Sequence, residues 1–345
     1  MSDSRKEAEE KMAKAIFISA DCWLCVFDLI TPFQLGLGIA LISHRFDYYV
    51  DEHFKTRKWI LAFIRIGSKI GENGTKGMEI TSLDGKPMPI PQIQLPRKVI
   101  GFRRITINYI DRNAIAFIHR FRPIFAASPI NLIVTTTNDR ISEFILRNIR
   151  PMIRKNICGM RLSADTFYNL RQFVPSILND CPSLRVFFIY YNDFFAEFPC
   201  DDSAAASDGQ AVTKWLFTPL QNDVPKLFKC AFDATGFCLG FFSRQFIVFI
   251  WIPPSFDDSV FAFELTNELT REQLMLKEND NNRRFLLVRC PIARDESKLT
   301  KWEEEEIDWE FFDQSNQIDI HIYDEDDIGD GLLDATPGPS DQQKK

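Results

Sequence analysis

Cys22 and Cys25, in the stretch ISADCWLCVFDLI, are the first residues of this chain whose types and spacing could do chemistry. A Cys-x-x-Cys performs thiol–disulfide exchange where a strand delivers the first thiol to an exposed turn at a helix N-terminus, whose partial charge stabilises the thiolate. Here the preceding residues read as a charged helix instead. On a helix, cysteines three apart share one face, with Ser19 or Asp21 available as the cap. The pair therefore reads as two small apolar side chains on a buried helix face. The other cysteines, at 158, 181, 200, 230, 238 and 290, come no closer together than eight residues, so no second pair has zinc spacing. His44, His53, His119 and His321 form no His-x-x-x-His. Neither a metal nor a cofactor is expected.

Carboxylates are concentrated in WEEEEIDW, 302–309. A glycosidase-type pair needs two carboxyls held apart in an apolar cleft, whereas four consecutive glutamates cover every side of a helix and must be solvated. Trp302 and Trp309, seven apart, fall on one helical face and read as anchors to the core. The glycines of IGSKIGENGTKG lack the spacing of a phosphate-binding loop and read as turns. With no Gly-x-Ser-x-Gly, His-Glu-x-x-His or kinase motif either, no catalytic residue is assigned and the chain reads as a non-enzyme.

The elements that must position any binding residues come next. At 345 residues, 45% of them hydrophobic and 32 of them phenylalanine, the chain can bury a large aromatic core over two or three domains. No signal peptide or membrane span is read: the longest apolar run is interrupted by Arg244 and Gln245, and Phe246–Ile252, closed by Pro253-Pro254, reads as a buried strand. An intracellular protein, cytoplasmic or nuclear, is expected. Residues 1–15 read as a polar helix. From 16 to 50, 23 of 35 residues are apolar. The segment breaks into three short helices, about 20–30, 33–42 after Thr31-Pro32, and 44–54. Helices this short cannot hide so much apolar surface among themselves, so the excess needs a partner surface.

The order of residues over 16–56 resembles an F-box. The family's opening Leu-Pro-x-Glu is matched by Ile18-Ser19-Ala20-Asp21, its Ile-Phe by Val26-Phe27, and its Pro-x-Asp-Leu by Pro32-Phe33-Gln34-Leu35. Its Val-Ser-Lys-Arg-Phe is matched by Ile42-Ser43-His44-Arg45-Phe46, followed by DEHFKTRKW. Ser19 replaces the usual proline and Gln34 the usual acid, and Gly36 and Gly38 lower helix propensity in the middle. With the remainder of the chain, the match is similar to the large, divergent F-box families of nematodes. The resemblance implies docking on a Skp-type adaptor, and through it on a cullin, in an SCF-type ubiquitin ligase. The interface, or the core just behind it, would use Ile18, Trp23, Val26, Phe27, Leu35, Leu41, Arg45, Phe46 and Tyr49.

After a connecting segment, 57–98, a pattern recurs from residue 99 to about 240. The strand-like runs RRITINYID, NLIVTTTND, CGMRLSAD and RVFFIYYND end in Asp111, Asp139, Asp165 and Asp193. An amphipathic helix follows each of the first three, with the aspartate placed as N-cap. Strand–helix units of this length bury both faces only by stacking, which suggests a leucine-rich-repeat-like α/β module; a doubly wound α/β domain is the competing reading. Residues 241–325 read as a β-rich end of the same module with one helix over 296–312, and 326–345 as a disordered acidic tail. The expected fold class is thus α+β/α/β.

Charge is divided: 14 Lys/Arg against 4 Asp/Glu over 97–171, and 3 against 15 over 301–345. The two stretches should attract each other or their counterparts in a partner. The net charge of −7 and the lack of interleaved exposed aromatics argue against nucleic acid. The function expected is a substrate-recognition adaptor, 16–56 binding the Skp-type subunit and the following module an unknown substrate protein. The alternatives are a repeat-type scaffold outside any ligase and a thiol oxidoreductase using Cys22 and Cys25.

Overall fold

The structure is a computed structural model. It describes residues 18–30, 34–55, 59–71, 74–82, 85–88, 99–190, 196–220, 224–231, 246–251, 262–269, 271–280, 284–293 and 314–334, with three single positions between 297 and 301. The helix expected over 1–15, Asp193, and Trp302, Trp309 and the glutamates between them lie outside the described residues. The chain divides into two compact units, Met1–Ala62 with Pro89–Ile100, and Phe63–Met88 with Gly101–Lys345.

In the first unit α1 spans Ala20–Phe27. Ser19 begins it: its Oγ accepts from the Cys22 N–H at 3.3 Å, satisfying one of the free donors of the first turn. The middle helix is a single π-helical turn, Leu35–Ile39, in which the Ala40 N–H reaches back five residues to the Leu35 carbonyl at 2.9 Å. The sequence there is LGLGI, and two glycines without Cβ atoms leave such a widened turn few packing constraints. The third helix, α2, spans His44–Lys55 and is strongly amphipathic. Its inner positions Phe46, Tyr49, Val50 and Phe54 meet Phe27, Leu35 and Ala40 in one core. Trp23 closes it, edge-on to Phe46 with ring centroids 4.9 Å apart. Five of these residues are nearly or fully buried, each worth about 1.5–3 kcal/mol of apolar transfer for the larger side chains.

The second unit is α/β. The segment read as a connection, 57–98, carries three strands: β1 (Trp59–Ile70), β2 (Lys76–Thr81) and β3 (Pro87–Met88), the latter two paired antiparallel and β2 antiparallel to β1. Strand and helix then alternate: β4 (Val99–Ile107), α3 (Arg112–His119), α4 (Arg122–Ala127), β5 (Ile130–Thr135), α5 (Asp139–Asn148), α6 (Arg150–Ile153), β6 (Ile157–Ser163), α7 (Ala164–Phe173), β7 (Val186–Tyr190), α8 (Asp208–Phe217), β8 (Lys226–Ala231) and β9 (Phe246–Trp251). Strands β10 (Phe263–Asn267), β11 (Glu272–Asp280), β12 (Arg284–Pro291) and β13 (Gln317–His321) follow. One sheet contains them all in the order β10-β11-β12-β9-β8-β7-β6-β5-β13-β4-β1-β2-β3. From β9 to β4 every pairing is parallel; β9 to β12, β12 to β11 and β11 to β10 are antiparallel.

Strands β5 to β9 are laid down in sequence order without reversal. Right-handed crossovers that always advance the same way leave their helices on one face of the sheet. That face is packed with rings: Phe102 against Phe121 and Phe125, and Phe187 against Phe167, Trp215 and Phe228. The abundance of phenylalanine is used here.

Two expectations are corrected in detail. Only Asp111 caps a helix itself, accepting from the Ala114 N–H at 2.8 Å. For α5 the cap is Asn138 and for α7 it is Ser163, which leaves Asp139 and Asp165 in the first turn, where a carboxylate favours the helix dipole without holding the cap. The tail is not disordered from 326. A 3₁₀ turn at Glu325–Asp327 leads into a β-bridge of Ile328 with Ile110, and Ile328 and Leu333 are buried.

β13 does not lie beside β12, its neighbour in sequence among the strands, but between β4 and β5. Asn316 starts it: its Oδ1 accepts from the Phe102 N–H at 2.9 Å, its own N–H donates to the Phe102 carbonyl, and its φ of 56° is one asparagine tolerates. A Cβ at Gly101 would stand 2.6 Å from that Oδ1, so β4 needs glycine there.

Candidate functional site

In the first unit α1 presents two faces of different use. Trp23, Leu24, Phe27 and Ile30 turn toward the core. The opposite side carries Cys22, Cys25 and Val26, with Ile18 just before the helix and Leu29 just after it, all exposed. Leu29 is 87% exposed, Val26 41% and Ile18 36%. Cys22 and Cys25 are therefore not packing residues of the core, as the spacing alone suggested. They lie on the solvent side of α1, because Trp23 and Phe27, the largest rings, claim the inner face.

The nine residues named from the sequence separate accordingly. Phe27 and Leu35 are fully buried core, Trp23, Leu41, Phe46 and Tyr49 are half-buried, and Ile18, Val26 and Arg45 are exposed. Arg45 is held in place: its Nε donates to the Tyr49 hydroxyl at 3.0 Å, its guanidinium lies over that ring, and an Nη donates to the Ile18 carbonyl at 3.4 Å. This ties the start of α1 to α2. Leu29, Ile42 and Tyr48 are exposed apolar residues that the sequence reasoning passed over. The signal was available for Leu29, which continues the 18–22–25 spacing.

In the second unit a network of polar side chains lies on the sheet face opposite the helices, where β4, β13, β5, β6 and β7 run side by side. On β13, Ile318 and Ile320 are buried among the apolar positions, while Gln317, Asp319 and His321 alternate to the other face. Gln317 donates from Nε2 to Asp319 at 2.8 Å and accepts from Arg104 at 3.2 Å; Arg104 Nε lies 3.6 Å from Asp319. Burial pushes the Asp319 carboxyl up, with the Gln317 hydrogen bond and Arg104 opposing, and burial also pushes His321 down. His321 Nδ1 is 3.2 Å from the Thr135 hydroxyl, which is 3.1 Å from that of Tyr190. Arg161 lies over the rings of Phe188 and Tyr190. These side chains position one another across five strands, and the centre of the network, Gln317 and Asp319, is buried.

Charge attraction between the basic stretch and the acidic end is realised within this unit. Arg140 pairs with Glu325 at 2.5 Å and with Asp334 at 3.3 Å, and Lys76 with Asp327 at 3.7 Å. Among the described residues no group of three His, Cys, Asp or Glu could hold a metal ion. No helix among them is long and apolar enough to cross a membrane. Burial pushes the thiols of Cys158 and Cys181 up to about 11 and that of Cys230 up to about 12, which makes them poor nucleophiles. Compared with models of protein families, with characterised proteins and with solved structures, the chain matches none.

Proposed function

We propose that this chain is a substrate-recognition adaptor of an SCF-type ubiquitin ligase, the F-box-like helices docking a Skp-type subunit that links to a cullin, and the second unit capturing a protein substrate. The observation that carries the reading is the exposed apolar group on the outer side of α1 and at its two ends, Ile18, Val26 and Leu29 with Cys22 and Cys25. Such a group, on and beside a helix of eight residues backed by a closed core, suits a hydrophobic groove of a partner. The second unit supports the substrate role: strands β5 to β9 advance in one direction, as stacked leucine-rich-repeat-like units do. The adaptor itself makes or breaks no bond; it raises the effective concentration of substrate lysines near the conjugating enzyme.

The alternative is an interaction scaffold acting outside any ligase, favoured by the fact that Phe27, Leu35, Val50 and Phe54 already bury one another. Co-expression with a Skp-type adaptor separates the two. Glutamate at Leu35 would break the core, so the informative variant is Val26→Glu/Leu29→Glu on the exposed side. A one-to-one complex on a sizing column, lost by the variant with its melting temperature unchanged, is the expected result. A wild-type chain that ignores the adaptor would leave the scaffold reading.

A further inference from the structure

The acidic segment 324–334 lies over the loops that follow β4 and β5 in the manner of a bound peptide. Its backbone makes a short parallel bridge: the Ile110 N–H donates to the Asp327 carbonyl at 2.9 Å, and the Gly329 N–H to the Ile110 carbonyl at 2.7 Å. Its side chains are met one by one. Glu325 accepts from Asn138 Nδ2 at 3.1 Å and from Arg140, at the start of α5. Lys76 donates to the Asp326 carbonyl and lies 3.7 Å from Asp327. Asp330 accepts from the Arg112 N–H at 2.9 Å, at the start of α3, and Asp334 from Arg140 at 3.3 Å. Ile328 and Leu333 are buried. Between them Gly329 sits against the tip of Tyr109: a Cβ there would overlap the Tyr109 hydroxyl and come 3.2 Å from the Asp111 Cβ. Tyr109 has nowhere to retreat, since it is itself buried and its hydroxyl donates to the Lys76 carbonyl at 3.3 Å.

Backbone pairing for affinity with side-chain positions for selectivity is how proteins read extended peptides. The carboxyl end of a parallel sheet, with free N–H groups at helix starts, is where such sheets take anionic ligands. We propose that this surface is a docking site for an acidic peptide segment of the form acid-x-x-Ile-Gly-Asp, occupied in cis by residues 325–330 and open to the same chemistry from a partner protein when this segment is displaced. The Arg140–Glu325 and Arg140–Asp334 pairs that hold the ends are solvent-exposed, so each contributes only about 0–1 kcal/mol and weakens with salt. A displacing segment must therefore replace the backbone bridge and the buried Ile328 and Leu333, while these outer pairs resist it little. The inference concerns the second unit alone and does not depend on adaptor docking by the first.

The test uses the full chain and a fluorescent synthetic peptide carrying residues 322–335. Gly329→Ala should evict the cis segment and bind the peptide at least tenfold more tightly than the wild-type chain, whose site is filled. Adding Arg140→Glu to Gly329→Ala should weaken that binding at least threefold, and an unchanged affinity counts against the site. A folded Gly329→Ala chain that ignores the peptide, or a wild-type chain that binds it equally well, overturns the proposal. Should Gly329→Ala fail to fold, hydrogen exchange on the wild-type chain decides. The amides of Ile328 and Gly329 should open at least tenfold faster than those of Ile318 and Ile320, and faster still at high salt. Exchange of all four only together overturns it.

Discussion

Phe27 and Leu29 stand two residues apart near the end of α1, and replacing each by alanine should have opposite consequences. Phe27 is fully buried among Trp23, Leu35, Val50 and Phe54. Its truncation removes a ring and leaves a cavity, a loss of about 3–5 kcal/mol in stability of the first unit. Leu29 is 87% exposed. Its truncation removes nothing from the core, so stability should change by less than about 0.5 kcal/mol. Full burial of a leucine is worth about 1.5–3 kcal/mol, so covering this side chain with a Skp-type partner should contribute about 2 kcal/mol, or roughly 30-fold in affinity. Thermal denaturation of each variant, with titration calorimetry against the adaptor, measures both quantities. Leu29→Ala should bind roughly 30-fold more weakly with an unchanged melting temperature, and Phe27→Ala should melt early. A Leu29→Ala chain that melts early, or binds like wild type, would refute the division of α1 into a core face and a docking face.

Three further outcomes follow from the buried charges and the π-helical turn. Arg171 is buried and donates to Asp208 and to the carbonyls of Pro175, Ser203 and Ala206, holding the loop before α8, so Arg171→Met should lose about 3–5 kcal/mol in denaturant unfolding. Burial already raises the Asp208 carboxyl, and without its guanidinium partner the folded state binds the proton more tightly; the deficit should shrink from pH 8 to pH 5, and an equal deficit at both would count against the pairing. Lys226 is buried under Trp215, its Nζ donating to the Trp215 carbonyl, and desolvation lowers it to about 7. The unfolded chain therefore binds more protons above pH 7, and stability should rise from there toward lysine's ordinary value, by up to about 3 kcal/mol between pH 7 and 9; Lys226→Met should lack that slope in parallel denaturant titrations. At Gly38 a Cβ would meet nothing within 4 Å, so Gly38→Ala should raise the melting temperature, corresponding to roughly 0.5–1 kcal/mol; a decrease would show that the π-turn depends on that glycine.

Local interactions account for what could be read directly from the residues. The helices between 18 and 55 follow from Ser19 as a cap and from the three-and-four spacing of Phe46, Tyr49, Val50 and Phe54. The alternation of strands and helices from 99 to 231 follows from period-two and period-3.6 apolar patterns. Caps slipped by one or two residues at Asn138 and Ser163, because Asp, Asn and Ser compete for the same first-turn donors and only the backbone path chooses among them.

The sequence by itself thus determined the strand–helix alternation from 99 onward and the opposed charges of its basic and acidic stretches, which depend on residues near one another along the chain, whereas the strands of 57–88 were missed. Tertiary structure alone decided which face of α1 carries the cysteines, since either face is apolar and the choice falls to whichever rings fill the core. It alone placed β13 between β4 and β5, through Asn316 meeting Gly101 and Phe102 more than 200 residues away. It also turned part of an acidic tail into an ordered segment, because Gly329 fits against the Tyr109 hydroxyl and Ile328 bridges to Ile110. Such contacts join groups that no window of sequence contains together, and their free energy is realised only once the sheet exists to bring them within reach.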